Sequence, residues 1–219
     1  MKQGTFTYND ELVDFSSIKY IWGLDVSLES TGLAIFDFHK DKFVVIDHCF
    51  TKKIKTDINV GGLEDLPFKL HYIAEFIQKY YKKYPPSMVA LERPFLHPKQ
   101  KATGESLYRV HGVINTILRN HPQIYYPPKT LKAVIIKGDM EKTFVKHSIL
   151  LEFPEIRETL KAHHINYGTK KKPKWFDEDE SDAISACVTL MDKLNLRIWE
   201  KKSLKDVRDS VEEENRLHT

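Results

Sequence analysis

The sequence predicts an α/β protein with a mixed five-stranded sheet and helices on both faces. The first observation is a series of three apolar segments rich in β-branched and aromatic residues, at residues 20–26, 33–38 and 43–50. Segments of this kind, separated by short breaks, are typical of an antiparallel meander. The second observation is the alternation of helical and strand periodicity after residue 65, which indicates strands joined through helices.

Length and composition favour a single packed domain. Of the 219 residues, 41% are hydrophobic and 30% are charged, a balance that excludes a disordered chain. We expect the domain to span residues 18–196, with an N-terminal appendage at 1–17 and a charged tail at 197–219. Cys49 and Cys187 match no metal-ligand spacing, which excludes a zinc ribbon and a disulfide scaffold. No apolar run is long enough to cross a membrane, so we expect a soluble cytoplasmic protein without a membrane partner.

Turn residues separate the first three strands. Ser30, Thr31 and Gly32 supply the first turn, in which Gly32 is free to adopt a positive φ. Residues 39–41 supply the second turn. We expect the first strand to be central in the sheet, with a functional site near its end.

Helical spacing begins after the meander. Apolar residues recur from Leu66 to Tyr80, which predicts a crossover helix that Pro85 and Pro86 terminate. A strand reached through such a helix is usually parallel to the one before it. The remaining predicted elements are a strand at 88–91, a helix at 103–120, a strand at 124–126, a short helix or strand at 131–136, a helix capped by Asp139 and a helix from Asp179.

Two carboxylates end segments that otherwise read as buried strands. Asp25 follows an apolar strand, and Glu92 ends the strand at 88–91. A charge in such a position is costly unless it is paired or bound to a cation. If the two strands are neighbours, both carboxylates project from the same edge of the sheet. Two other interpretations stay open: Asp25 caps the following turn, and Glu92 pairs with Arg93.

A second pair of carboxylates lies at the start of the last predicted helix. Asp179 and Asp182 are three residues apart and share one helix face. Like charges at this spacing are tolerated most easily when a cation bridges them, although Asp179 also suits a plain N-cap. Glu180 points off the shared face, and we leave it out of the site. Four carboxylates without His or Cys ligand spacing favour Mg²⁺ or Mn²⁺.

The segments around these carboxylates resemble the acidic motifs of the RuvC-type Holliday junction resolvases, which belong to the ribonuclease H-like superfamily. The segments are GLDVSLESTG at 23–32, ALERPF at 90–95 and DESDA at 179–183. Their order and spacing also fit, and the resemblance covers roughly residues 21–194. The Lys-rich and Tyr-rich composition is compatible with a phage or mobile-element member, which would place the protein in the host cytoplasm; a bacterial member would associate with the nucleoid.

The resemblance implies a ribonuclease H-like fold, a homodimer, and nicking of four-way DNA junctions at two symmetric positions. Carried over by position, the catalytic residues and metal ligands are Asp25, Glu92, Asp179 and Asp182. They would hold two Mg²⁺ ions, for which Mn²⁺ could substitute. Two ions about 3.5 to 4 Å apart can activate a water and stabilise the leaving 3′ oxygen.

The resemblance also implies DNA contacts, which the formal net charge of +3 does not indicate by itself. Lys132 and Lys142 match backbone-contacting lysines of the family, and Phe95 matches an aromatic wedge at the junction centre. Further basic candidates are Lys99, Lys101 and Arg109. The alternatives are solvated lysines and a phenylalanine in the core. The helix at 103–120, with Gly112 on it, is our candidate dimer interface.

Three other functions compete with a junction resolvase. The first is a broader nuclease that cuts forks and flaps with the same residues. The second is a sugar kinase or actin-like ATPase, which the short chain and its 9 glycines disfavour. The third is an inactive junction-binding module, which the presence of all four acidic residues disfavours. The sequence leaves open the cleavage preference and any branch-migration partner.

Overall fold

The computed structural model describes residues 5–8, 11–52, 65–94, 101–135, 142–156, 158–159, 178–197, 203 and 205–209. Its central sheet has five strands in the order β5-β4-β3-β6-β7. The strands are β3 (Tyr20–Asp25), β4 (Ser30–Asp37), β5 (Lys42–Phe50), β6 (Met88–Glu92) and β7 (Gln123–Tyr126). The helices are α1 (Leu66–Lys83), α2 (Lys101–Ile117), α3 (Pro128–Ile135), α4 (Lys142–Glu152) and α5 (Glu178–Lys193).

Strand β3 lies at the centre of the sheet, as the sequence predicts. It pairs antiparallel with β4, which pairs antiparallel with β5. On its other side β3 pairs in parallel with β6, which pairs in parallel with β7. The meander and the crossover therefore meet at β3, and the predicted mixed five-stranded sheet is confirmed.

Helices α1 and α2 cover one face of the sheet. Trp22 and Leu24 of β3 pack with Ile73 and Ile77 of α1 and Val110 of α2 in one buried cluster. The indole Nε1 of Trp22 donates a hydrogen bond to the Tyr84 carbonyl, at 2.9 Å. This bond attaches the end of α1 to the central strand.

Helices α3, α4 and α5 cover the other face, and the backbone of α5 approaches the sheet closely at two glycines. A Cβ atom built on Gly23 would lie 1.9 Å from the carbonyl oxygen of Ala183, and one on Gly32 would lie 2.2 Å from that of Asp179. Only glycine fits at these contacts. Gly32 lies within β4 and pairs with Asp25, so its predicted place in the first turn was wrong.

The segment before the sheet forms a β-hairpin, which the sequence analysis did not identify. Strands β1 (Thr5–Tyr8) and β2 (Glu11–Asp14) pair antiparallel, and a 3₁₀ turn at Phe15–Ser17 leads into the domain. Residues 131–135, which suited a helix or a strand, belong to α3. Asp139 lies outside the described residues. Among the described helices, none has the length and apolarity that a membrane span needs.

Candidate active site

Asp25 and Glu92 lie at the carboxyl ends of two neighbouring parallel strands. Leu24 pairs with Leu91, so the two carboxylates follow at the same level of the sheet. Because side chains alternate along a strand, Asp25 shares its face with Gly23, and Glu92 shares its face with Ala90. Both carboxylates are half-buried. The structure therefore brings these two predicted site residues together.

A cavity of about 140 Å³ lies between these strand ends and α2. Its lining includes Asp25, Glu92 and Arg93 from the strand ends and Leu107 and His111 from α2. The carboxyl ends of parallel strands are the usual position of a site in open α/β sheets. The cavity is thus the first candidate for a catalytic or binding centre.

The two helix carboxylates lie at the adjacent end of α5. The backbone of Asp179 sits over Gly32, and Gly32 pairs with Asp25 across the sheet. Ser30 donates its hydroxyl to a carboxylate oxygen of Asp179 at 2.5 Å. Asp182 is half-buried one turn further along α5. Neither aspartate lines the cavity. The structure therefore places this pair near the strand carboxylates but outside the cavity.

A buried hydrogen bond between a carboxylate and an imidazole holds the first turn of α5 on the sheet. Glu180 has 0% exposure, and its carboxylate lies 3.2 Å from Nδ1 of His48 on β5. Burial disfavours the charged imidazole of His48, but the hydrogen bond to Glu180 and the charges of Glu180, Asp179 and Asp47 outweigh it. The pKa of His48 consequently lies above its usual value. Glu180, which is left out of the predicted site, thus connects the start of α5 to β5.

His111 is the cavity residue that the sequence analysis did not single out. It lies within the apolar face of α2, between Val110 and Ile114, and it is 4% exposed. Burial lowers the pKa of His111 to about 4, so the imidazole is neutral at pH 7. The sequence does contain a signal for His111: it is a polar residue at a helix position that the apolar periodicity assigns to the core.

The predicted DNA-binding residues are described only in part. Phe95 and Lys99 lie outside the described residues, as do the side chains of Lys101, Lys132 and Lys142. Arg109 is exposed on α2, and its guanidinium pairs with Glu105 at 2.5 Å. Gly112 of the candidate dimer helix is exposed, with open space where a Cβ would be.

The donor chemistry of the site suits a hard divalent cation. Carboxylate oxygens at two strand ends and at the start of α5 are the ligands that Mg²⁺ and Mn²⁺ prefer. Within the ranges that the structure describes, no three His, Cys, Asp or Glu side chains converge closely enough to hold a metal ion.

Comparison with solved structures identifies the fold. The chain matches RuvC of Thermus thermophilus in complex with a Holliday junction substrate at TM-score 0.57 and 15% identity, over 81% of this chain and 96% of that one. A second Thermus thermophilus RuvC structure matches at TM-score 0.55 and 13% identity, over 80% of this chain and 96% of that one. The yeast mitochondrial Holliday junction resolvase Ydc2 matches at TM-score 0.50 and 15% identity, over 80% and 78%.

Sequence comparison adds no assignment: neither a protein-family model nor a curated protein matches the chain. The structural matches nevertheless extend over about four fifths of the chain. The chain therefore has the ribonuclease H-like fold of the RuvC-type Holliday junction resolvases.

Proposed function

We propose that the protein is a metal-dependent endonuclease that resolves four-way DNA junctions by paired symmetric nicks. The observation that carries the proposal is the placement of Asp25 and Glu92 in one cavity, at the ends of adjacent parallel strands. The fold shared with RuvC and Ydc2 and the helix carboxylates beside the cavity support it.

In this proposal Asp25, Glu92, Asp179 and Asp182 would hold Mg²⁺. Bound there, it would supply an activated water and stabilise the leaving 3′ oxygen of the phosphodiester. Ser30 fixes the carboxylate of Asp179 by its hydrogen bond. The His48–Glu180 pair keeps the start of α5 against the sheet, so that both helix aspartates stay close to the strand ends.

Substrate binding in this proposal uses basic residues on either side of the site. Lys101 and Arg109 belong to α2, Lys132 to α3 and Lys142 to α4. Lys99 and Phe95 belong to the segment between β6 and α2, with Phe95 as a wedge at the junction centre. Contacts to phosphates would give affinity without sequence information.

The test is cleavage of a labelled mobile four-way junction in Mg²⁺, beside a Y-fork, a flap and linear duplex. We expect paired symmetric nicks from the wild type and a loss of about 10³-fold or more in Asp182→Asn, because the metal site supplies several kcal/mol of transition-state stabilisation. Asp192→Asn is the matched control, since it removes a half-buried carboxylate further along the same helix. This control should cut at the wild-type rate.

Other outcomes would redirect the assignment. Cleavage confined to forks or flaps would replace the resolvase with a broader branched-DNA nuclease. Tight junction binding without cleavage would indicate an inactive junction-binding module. Equal cleavage by wild type and Asp182→Asn would remove the helix aspartate from the site.

Paired nicks require two active sites related by symmetry, so the proposal includes a homodimer. Helix α2 is the candidate interface, and its exposed Tyr108 and Gly112 are available for contact. Analytical ultracentrifugation at micromolar concentration should give twice the chain mass of 25.6 kDa. A mass of one chain, with or without junction DNA, would contradict the dimer.

A further inference from the structure

His111 has a buried polar atom without a partner. Its Nδ1 atom has no hydrogen-bond partner within the described part of the chain. More than nine in ten buried polar groups in folded proteins are hydrogen-bonded. An orphaned nitrogen of this kind therefore calls for a ligand or a water molecule.

The location of His111 separates it from the other orphaned groups. Across the described ranges, Ser148 and Thr189 also carry a buried side-chain atom without a partner. Neither of these residues lines the cavity at the strand ends, whereas His111 lines it together with Asp25 and Glu92. The unsatisfied nitrogen thus belongs to a residue that shares a cavity with two carboxylates.

The size of the cavity limits what can occupy it. At about 140 Å³ it has room for about four water molecules at roughly 30 Å³ each. Pockets for drug-sized ligands are larger, at about 300 Å³ or more. A partly hydrated divalent cation fits both the volume and the lining, because Mg²⁺ usually keeps several of its water ligands.

We propose that His111 is a further residue of this site, whose imidazole hydrogen-bonds the water ligands of a divalent cation held by Asp25 and Glu92. The inference rests on the proposed metal-dependent function. Because it acts through water, His111 is a positioning residue. It fixes the orientation of waters that the carboxylates alone would leave free to rotate.

A purely structural role predicts a different behaviour. The ring of His111 packs beside Tyr125, with 5.8 Å between centroids, and an apolar residue could fill the same position. Replacing a buried unpartnered polar group by an apolar one is neutral or stabilising. Substitution by leucine should therefore separate the two roles, because stability and metal binding would change in opposite directions only if His111 serves the site.

The experiment measures Mn²⁺ binding by titration calorimetry and thermal unfolding of the full chain for wild type, His111→Leu, His111→Asn and Asp25→Asn. We expect His111→Leu to bind Mn²⁺ at least tenfold more weakly and to unfold at an equal temperature or roughly 2 to 4 °C higher. His111→Asn should recover binding to within about threefold, since its amide places a polar atom near the Nδ1 position. Asp25→Asn should lose binding.

Each result has a distinct meaning. Wild-type binding by His111→Leu, with binding lost in Asp25→Asn, would overturn the role of His111 and leave the proposed function intact. Equal binding by wild type and Asp25→Asn, or none by either, would overturn the proposed metal site and this inference with it. If His111→Leu does not fold, His111→Met serves as the apolar variant. An asparagine variant no better than the apolar one would also overturn the proposal.

Discussion

The two sides of Asp25 differ in how completely their polar groups are satisfied. On the side of β4, β5 and α5, Ser30 binds Asp179 and His48 binds Glu180. We call this the helix side. On the side of β6 and α2, which we call the cavity side, His111 has an unpartnered nitrogen next to open space.

This difference indicates that the two sides have different roles, one structural and one in binding. The helix side resembles a folded core, because its buried charges are paired and its backbones are in direct contact. The cavity side holds the unpartnered Nδ1 atom of His111 beside open space. Where natural proteins depart from the rules of core packing, they often do so at functional sites, so the contrast points to the cavity side as a place of binding.

The largest expected effect tests the helix side. Glu180→Leu leaves the His48 imidazole buried without its partner, so we expect the free energy of unfolding to fall by about 3 to 5 kcal/mol. Glu180→Gln keeps a hydrogen-bond acceptor in place and should lower it by only about 1 to 2 kcal/mol. Urea denaturation at pH 7 measures both. Equal losses in the two variants would mean that packing, not the polar pair, holds α5.

The second prediction uses pH to compare the two buried histidines. The pKa of His111 is lowered from 6.5 to about 4, so folding disfavours its protonation. Its contribution to stability is complete above pH 6.5 and is lost as the pH falls toward 4, by on the order of 3 kcal/mol. The pKa of His48 is raised, so its contribution is complete below pH 6.5 and is lost at higher pH.

Denaturation between pH 4 and pH 8 in a chelator checks both signs. The advantage of His111→Leu over wild type should grow as the pH falls. The advantage of wild type over His48→Gln should shrink as the pH rises. Parallel pH profiles for the two variants would show that the histidines do not differ in the way described.

The smallest expected effect concerns the glycine contact on the helix side. Gly32→Ala would place a Cβ 2.2 Å from the Asp179 carbonyl oxygen, so α5 must shift. We expect a loss of about 1 to 3 kcal/mol in the free energy of unfolding and slower junction cleavage. Gly112→Ala is the control, because open space surrounds that position, and it should gain about 0.5 to 1 kcal/mol.

Much of the fold could be predicted from the sequence because its elements have clear periodicities. The apolar alternation around Trp22 and the helical spacing from Leu66 to Tyr80 reflect burial on one face, which depends on local sequence. The strand carboxylates followed from the same reasoning, since a charge at the end of an apolar strand is unusual. The resemblance to the resolvases implies that Asp179 and Asp182 belong to the same site as these strand carboxylates.

The remaining features depend on contacts between distant segments. Gly32 precedes an apolar strand and suits a turn equally well; its true requirement is the backbone of Asp179, far along the chain. Glu180 was set aside because helix geometry alone cannot show that the opposite face of α5 packs on His48. His111 was overlooked because it lies within an apolar face, where a histidine is commonly a core residue.

The strand end near Ser30 and the start of α5 are far apart in the sequence, and this separation affects how the protein folds during synthesis. Ser30 and Asp179, which are hydrogen-bonded, lie 149 residues apart. At about 5 to 20 residues per second, a ribosome needs roughly 7 to 30 seconds to make that stretch. Throughout this interval the nascent meander has an uncovered glycine face where α5 will dock. A chain halted before residue 178 would keep that apolar face exposed, which makes it a target for chaperones and proteases and a source of aggregation.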